Sequence, residues 1–303
     1  MSALCDPLPL ESPKRTKSLR SIRAETYFRL RSGSMSQALH QGAPTRHVEL
    51  TGAALALYNL WYWPYLMLTC ALCFVPALAL WAVTAPFDSK RQLLGKYTRV
   101  WGAHYLASVP FASVTIFNRN HGENIGPCVY VSNHLSLSDV LALFKLDYAF
   151  LWVSKVENFY APFLGWNMWL NNYVPLKRGY LPSIMRMYRT CLRRLGQGHS
   201  LFVFPEGTRS PDGEIQHFHA GAFRMAARGG LPIVPIVIEG TREILPKGKL
   251  RVKPLPVWVE VLPPIHAAEV GNDWKQLRDL TKLRMQAAQR ALRDRLGRLP
   301  SDE

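Results

Sequence analysis

Acidic side chains are scarce in this sequence. Asp and Glu number 21 against 37 Lys and Arg, which leaves a formal net charge of +16 at pH 7 and a pI near 9.9. That imbalance points to an anionic partner: nucleic acid, anionic lipid headgroups or a phosphorylated substrate. Cysteine is sparse too. Cys5, Cys70, Cys73, Cys128 and Cys191 are odd in number and widely spaced, which speaks against a disulfide framework and fits a reducing compartment. Cys70-x-x-Cys73 has redox or metal spacing, but it lies in an apolar run with no second ligand pair, and reads as two small buried residues. Gly-x-Gly-x-x-Gly and P-loop spacings are missing, so a nucleotide-cofactor enzyme is unsupported. Gly198-His199-Ser200 runs into Leu201-Phe202 without the second glycine of a serine-hydrolase elbow. His217-Phe218-His219 has no carboxylate or cysteine cluster beside it and reads as a solvent-facing pair, not a metal site.

The longest absence is of charge itself. No charged residue occurs from Thr51 to Phe87, a run that marks a membrane segment. Trp61, Tyr62, Trp63, Tyr65 and Trp81 suit the lipid–water interface. One straight helix over this run would reach roughly 55 Å, well beyond a hydrocarbon core of about 30 Å. Pro64 and Pro76 offer places to break it, so a two-helix hairpin dipping into one leaflet is expected. A single span with an interfacial extension is one alternative, and a buried soluble helix pair another. Arg46 precedes the run; Lys90, Arg91, Lys96 and Arg99 follow it. Cations on both flanks favour the cytoplasmic side for both ends, at the inner membrane if the cell is bacterial.

Three regions result. Residues 1–46 are rich in Ser, Pro and basic side chains with poor apolar periodicity, and read as a largely disordered arm able to lie on anionic lipid. A translation start at Met35 is the duller alternative, and the apolar run begins too late for a secretory signal. Residues 47–89 form the apolar hairpin. Residues 90–303 alternate strand and helix patterns, as in an α/β domain with a mixed central sheet flanked by helices. Strands are expected at Val114–Asn118, Cys128–Val131, Ala149–Val153, Asn172–Leu176, Ser200–Phe204, Ile233–Ile238 and Val257–Leu262. The prolines of Leu231-Pro232-Ile233-Val234-Pro235 make the sixth an edge or bulged strand. The last helix, Trp274–Leu296, carries a stripe of Leu277, Thr281, Met285, Ala288, Leu292 and Leu296 against many arginines, and is expected to pack on the domain.

Chemistry concentrates at strand ends. Val129-Tyr130-Val131-Ser132 leads into Asn133-His134-Leu135-Ser136-Leu137-Ser138-Asp139 and a helix-like run. That strand–turn–helix puts an imidazole and a carboxylate where α/β proteins bind ligands. His134 is the natural general base for a hydroxyl proton, and Asp139 could fix its tautomer. Asp139 could equally serve as the third residue of a capping box begun by Ser136. Lys177-Arg178-Gly179 follows another strand. Arg178 can grip a phosphate through two N–H groups, and Gly179 lets backbone approach closely. Phe204-Pro205-Glu206-Gly207-Thr208-Arg209-Ser210 follows a third strand. There Arg209 can hold a phosphate, and Glu206 can orient Arg209 or accept from a substrate hydroxyl; a salt-bridged turn closed by Gly207 is the plainer reading.

In this order the four segments resemble the glycerolipid acyltransferase family, specifically the 1-acylglycerol-3-phosphate acyltransferases that make phosphatidic acid. Asn133-His134-x4-Asp139 matches its Asn-His-x4-Asp motif, Arg178-Gly179 its Arg-Gly motif, residues 204–210 its Phe-Pro-Glu-Gly-Thr-Arg-Ser motif, and residues 232–238 its proline-bearing apolar motif. The resemblance covers about residues 90–265, with the apolar segment before it. It implies transfer of a fatty acyl group from acyl-CoA or acyl carrier protein, as co-substrate, to the sn-2 hydroxyl of lysophosphatidic acid, with no metal, no cofactor and no covalent acyl-enzyme. By carry-over His134 is the base, Asp139 its orienting partner, and Arg178, Glu206, Gly207, Thr208 and Arg209 the phosphate and glycerol site. Backbone amides at the Asn133 turn or the start of its helix are candidate oxyanion donors. Competing readings are a relative acting on glycerol-3-phosphate, another lysophospholipid or lyso-ornithine lipid, and a non-enzymatic membrane-surface or nucleic-acid-binding basic protein. Against nucleic acid, the cations are dispersed and no known nucleic-acid module accompanies them.

Overall fold

The computed structural model describes residues 50–107, 113–246 and 248–297; the arm expected over residues 1–46 lies outside them. The first helix, α1 (Gly52–Thr84), runs unbroken through Pro64 and Pro76. The expected break into two helices within the uncharged run therefore does not occur. Tertiary packing on both sides of each proline outweighs the hydrogen bond it removes. Tyr62, Trp63 and Leu66 bracket Pro64 against the main core, and Phe74, Ala77 and Trp81 bracket Pro76 in a second cluster. The chain reverses at residues 85–91 and returns as α2 (Gln92–Ala107). Asp88 caps α2, its two oxygens accepting the N–H groups of Gln92 and Leu93 at 2.9 Å each. The hairpin is thus α1 with α2, closed over Cys70, Ala77, Leu94, Trp101 and Tyr105.

Early in α1, Leu55, Tyr58 and Tyr62 enter the main core. The Asn59 amide donates to the Val252 carbonyl and accepts from its N–H, at 3.0 and 2.7 Å. The other face presents Leu57, Leu60, Met67, Leu68, Leu72 and Val75 to the outside. Among the described residues α1 alone is long and apolar enough to cross a membrane.

All seven expected strands form: β1 (Val114–Phe117), β2 (Val129–Ser132), β3 (Leu151–Lys155), β4 (Val174–Leu176), β5 (Leu201–Val203), β6 (Ile233–Glu239) and β7 (Val257–Val261). They make one mixed sheet in the order β1-β7-β6-β2-β5-β3-β4. Strands β6, β2, β5, β3 and β4 are parallel, β7 runs antiparallel to β6, and β1 is parallel to β7. Between them run α3 (Ser138–Phe144), α4 (Leu164–Leu170), α5 (Leu181–Gly196), α6 (Gly221–Gly229) and the short α7 (Thr241–Ile244); α8 (Trp274–Arg295) follows β7. The sheet is filled by apolar, often β-branched side chains. Val129, Val131, Leu201, Phe202, Ile236 and Val259 have no exposed surface, and each contributes on the order of 1.5–3 kcal/mol.

One strand departs from expectation. Despite its prolines, β6 is interior, paired with β2 on one side and β7 on the other. Pro235 falls where the β7 ladder is already interrupted. Ile233 bridges Ile265 and Ile236 pairs with Val261, so Val234 and Pro235 face three residues, Leu262, Pro263 and Pro264. That is a bulge on the partner segment, where the missing N–H of Pro235 leaves no ladder bond unmade. The last helix packs as expected: Leu277, Thr281, Met285, Gln289 and Leu292 are its buried residues.

Candidate active site

The carboxyl ends of β2, β5 and β4 carry the three segments singled out in the sequence. From β2, Asn133 reaches sideways to β6: its amide donates to the Ile238 carbonyl and accepts the Ile238 N–H, both at 2.9 Å. That two-way bond needs β6 as a neighbour, and it fixes the turn that presents His134. His134 is 9% exposed, and its ring stacks on Phe204, centroids 4.1 Å apart and planes 17° apart.

Asp139, in the first turn of α3, is fully buried. Its Oδ2 takes the Nδ1 of His134 at 2.7 Å and the backbone N–H groups of Leu135 and Ser136 at 2.7 and 2.9 Å. The Ser136 hydroxyl in turn accepts the Ser138 N–H at 3.3 Å. The reciprocal capping box does not close, since the Asp139 N–H bonds the Ser136 carbonyl, but its other half, Asp139 on the Ser136 N–H, shares one carboxylate oxygen with the imidazole contact. A carboxylate on Nδ1 makes that nitrogen the donor, which leaves Nε2 with the free lone pair. Among the described residues Nε2 has no hydrogen-bonding partner, and neither does Oδ1 of Asp139.

Glu206 does not pair with Arg209. Buried to 4% exposure, its carboxylate accepts the His134 N–H at 3.2 Å and the Gln216 N–H at 3.4 Å. It braces the His134 backbone. Burial pushes its carboxyl up to about 7, against those two N–H groups, with the Asp139 charge adding to the rise. The Ser210 N–H bonds the His134 carbonyl at 2.7 Å, so the 204–210 loop clasps the turn from both sides. The amides of His134, Leu135 and Ser136 are all occupied, which removes them as donors to a developing oxyanion.

Gly207 has φ of 67°, and a Cβ there would meet the His219 ring at 2.9 Å. Both the left-handed backbone and the close approach require glycine. Thr208 is exposed, and Arg209 half-buried. Arg178 stands beyond β4, two strand spacings (roughly 10 Å) from β5, in a turn closed by Gly179 at φ 73°. Burial pulls the Arg178 guanidinium below its usual range, Glu157 opposes this, and the Arg209 charge adds to it. Arg178 and Arg209 thus share one locality, and neither has a hydrogen bond or ion pair among the described residues.

Four contributors were not foreseen. Phe204 lies in the motif, but its stacking on His134 depends on β5 neighbouring β2. From α8, Arg293 binds the Gly213 carbonyl at 2.7 Å and Glu239 at 3.1 Å, while Gln289 binds the same two groups at 3.0 and 2.6 Å. Arg242 adds bonds to the Pro211 and Asp212 carbonyls at 2.7 Å each. The loop after β5 is therefore held by side chains remote in sequence. His217 and His219 are exposed, and no group of three or more His, Cys, Asp or Glu able to hold a metal occurs among the described residues.

Fold and site together define an α/β domain with a histidine–carboxylate pair at the carboxyl ends of the parallel strands of a mixed sheet. Residues 113–239 match the Acyltransferase family model. A 1-acyl-sn-glycerol-3-phosphate acyltransferase of Chlamydomonas reinhardtii is 32% identical over 248 residues, 80% of this chain and 72% of that protein. The chloroplastic 1-acyl-sn-glycerol-3-phosphate acyltransferase LPAT1 of Arabidopsis thaliana is 40% identical over 164 residues, 54% of this chain and 46% of that protein, so the chain spans about half of the plant relative. The crystal structure of the 1-acyl-sn-glycerophosphate (LPA) acyltransferase PlsC from Thermotoga maritima shares the fold, with a TM-score of 0.67 over 79% of this chain and 98% of that one at 23% identity. The chain belongs to the acyltransferase family, and it is an O-acyltransferase.

Proposed function

We propose that this acyltransferase moves a fatty acyl group from acyl-CoA or acyl carrier protein to the sn-2 hydroxyl of lysophosphatidic acid, giving phosphatidic acid. The observation that carries this is the His134–Asp139 pair at 2.7 Å, set at the same sheet end as two unpaired guanidinium groups. Nε2 of His134 takes the hydroxyl proton as the oxygen attacks the thioester carbonyl. The tetrahedral intermediate expels the thiolate, which recovers that proton from the imidazolium and leaves as thiol. Asp139 orients the ring and balances its transient charge. The step needs no metal and no acyl-enzyme. Arg178 and Arg209 receive the acceptor phosphate, whose doubly charged oxygens suit paired guanidinium groups.

The acceptor is delivered from a membrane surface. Phe74 of α1 packs on Phe163 and Trp166 of the α4 segment. The exposed side chains Leu164, Trp166 and Trp169 thereby extend the apolar face of α1, with Tyr180, Leu181 and Met185 exposed just beyond Arg178. A helix packed on the domain along this much of its length fits immersion in one leaflet, at the cytoplasmic face, better than a free span. The test is a panel of acceptors offered to membranes with labelled acyl-CoA or acyl carrier protein. Lysophosphatidic acid should be the preferred acceptor over glycerol-3-phosphate, lyso-ornithine lipid and lysophospholipids with larger headgroups; preference for one of these replaces the assignment.

A further inference from the structure

At the opposite end of the sheet from His134 lies a cavity of about 430 Å³, between the amino ends of β2, β3, β4 and β5 and the turn that joins α1 to α2. Lys90, Arg91, Arg99, Arg119 and His199 line it. Two of these cations are already matched: Arg99 pairs with Asp147 at 2.7 Å and Arg119 with Glu123 at 2.9 Å. The remaining acid of the turn, Asp88, is committed to capping α2. Lys90 and Arg91 have no carboxylate partner among the described residues. Arg91 lies against the Trp81 ring at 5.7 Å, but its Nε and Nη1 atoms are buried without an acceptor, as is Nε of Arg194 near the end of α5.

These cations are pressed together, not dispersed. A Cβ on Gly198 would stand 3.1 Å from Nζ of Lys90. Arg91 adopts the left-handed backbone at φ 54°, which few non-glycine residues take unless their surroundings fix it. Burial and the neighbouring Arg193 and Arg91 charges lower the Arg194 guanidinium. Burial with Arg194 and Lys90 lowers His199. Buried guanidinium donors with no acceptor are costly, and mutual repulsion adds to the cost; a bound anion relieves both.

We propose that Lys90, Arg91, Arg194 and His199 form a second anion site that takes a phosphate group and fastens the α1–α2 turn to the amino end of the sheet. Planar guanidinium groups beside an ammonium match the oxygens of a phosphate. The phosphate can belong to a lipid headgroup, since Val83 and Phe87 at this turn are exposed, or to a soluble phosphate.

Full-length protein in neutral detergent is melted in phosphate-free buffer and with rising inorganic phosphate, ionic strength being matched with chloride. Arg91→Gln/Arg194→Gln and Arg178→Gln/Arg209→Gln are run beside it. The first variant should melt no lower than wild type without phosphate, because it loses repulsion, and should respond to phosphate at least tenfold more weakly. The second should keep that part of the response. On the unaltered chain, phosphate should slow acylation of the Lys90 amine several-fold relative to the exposed Lys275 at the start of α8, read by peptide mass spectrometry. Vesicles of phosphatidylcholine with or without phosphatidic acid form the other arm. Protection of Lys90 by phosphatidic acid vesicles alone assigns the site to a headgroup, and protection by inorganic phosphate assigns it to phosphate in general. Lys90 labelled equally fast under every condition, or an undiminished phosphate response in Arg91→Gln/Arg194→Gln, overturns the proposal.

Discussion

Nδ1 of His134 and Oδ2 of Asp139 stand 2.7 Å apart, and that same oxygen holds the turn before the helix by taking the backbone N–H groups of Leu135 and Ser136. Asp139→Asn therefore strikes both functions, but unequally. Weakening the bonds to the turn amides costs about 1 kcal/mol, whereas a wrongly held imidazole lowers kcat by about 10³–10⁴-fold. Urea unfolding and steady-state kinetics on the same preparation separate the two. Activity that fell only in proportion to the unfolded fraction would leave Asp139 as a brace of the turn alone.

Glu206 sets a pH dependence of stability. Its carboxyl, ordinarily at 4.5, is pushed up to about 7 by burial. The folded chain therefore holds this proton more tightly than the unfolded chain does. Between those two values stability falls as pH rises; below the window the group is neutral in both states, and above it the full cost, about 3 kcal/mol, is present. Glu206→Gln removes this slope. Melting curves of the two proteins from pH 4 to 8 should diverge in the variant's favour as pH rises through the window, and parallel curves would contradict the assignment.

On the proposed function, the guanidinium groups at Arg178 and Arg209 should discriminate acceptors by charge. Replacing either with Ala should lower kcat/KM for a phosphate-bearing acceptor by about 10–100-fold, the worth of a charge-assisted hydrogen bond or two. A monoacylglycerol, which lacks the phosphate, should be nearly indifferent. Equal losses on both acceptors would point to a folding defect.

Arg293 links α8 to the loop after β5 through Gly213 and to the end of β6 through Glu239. Arg293→Ala leaves the Glu239 carboxylate, already raised by burial, without its main counter-charge. The expected loss is about 3 kcal/mol. Neutralising the orphaned acid in Arg293→Ala/Glu239→Gln should recover much of it in a denaturant titration.

How far the sequence foretold this depends on whether a feature is local. β-branched runs ended by Asn, Gly or Pro placed all seven strands to within about two residues, and the helix-like run after the His134 turn forms α3. The His134 turn was legible because strand, turn and helix follow one another in the chain. Features that need a neighbouring element were not. Pro64 and Pro76 looked like breaks because their packing against the α/β core, α2 and α4 lies outside the run itself. Pro235 looked like an edge because the compensating bulge sits at residues 262–264. Glu206 was read with Arg209, three residues on, but it reaches across to the His134 backbone. Lys90, Arg91 and Arg194 converge only when the α1–α2 turn meets the end of α5.

The most direct test of the account is product formation by His134→Ala. Membranes bearing equal amounts of wild-type or variant protein receive labelled acyl-CoA and lysophosphatidic acid, and phosphatidic acid is counted. The account predicts that the variant, folded and membrane-bound as before, forms it at least about 10³-fold more slowly; equal product from the two proteins would contradict it.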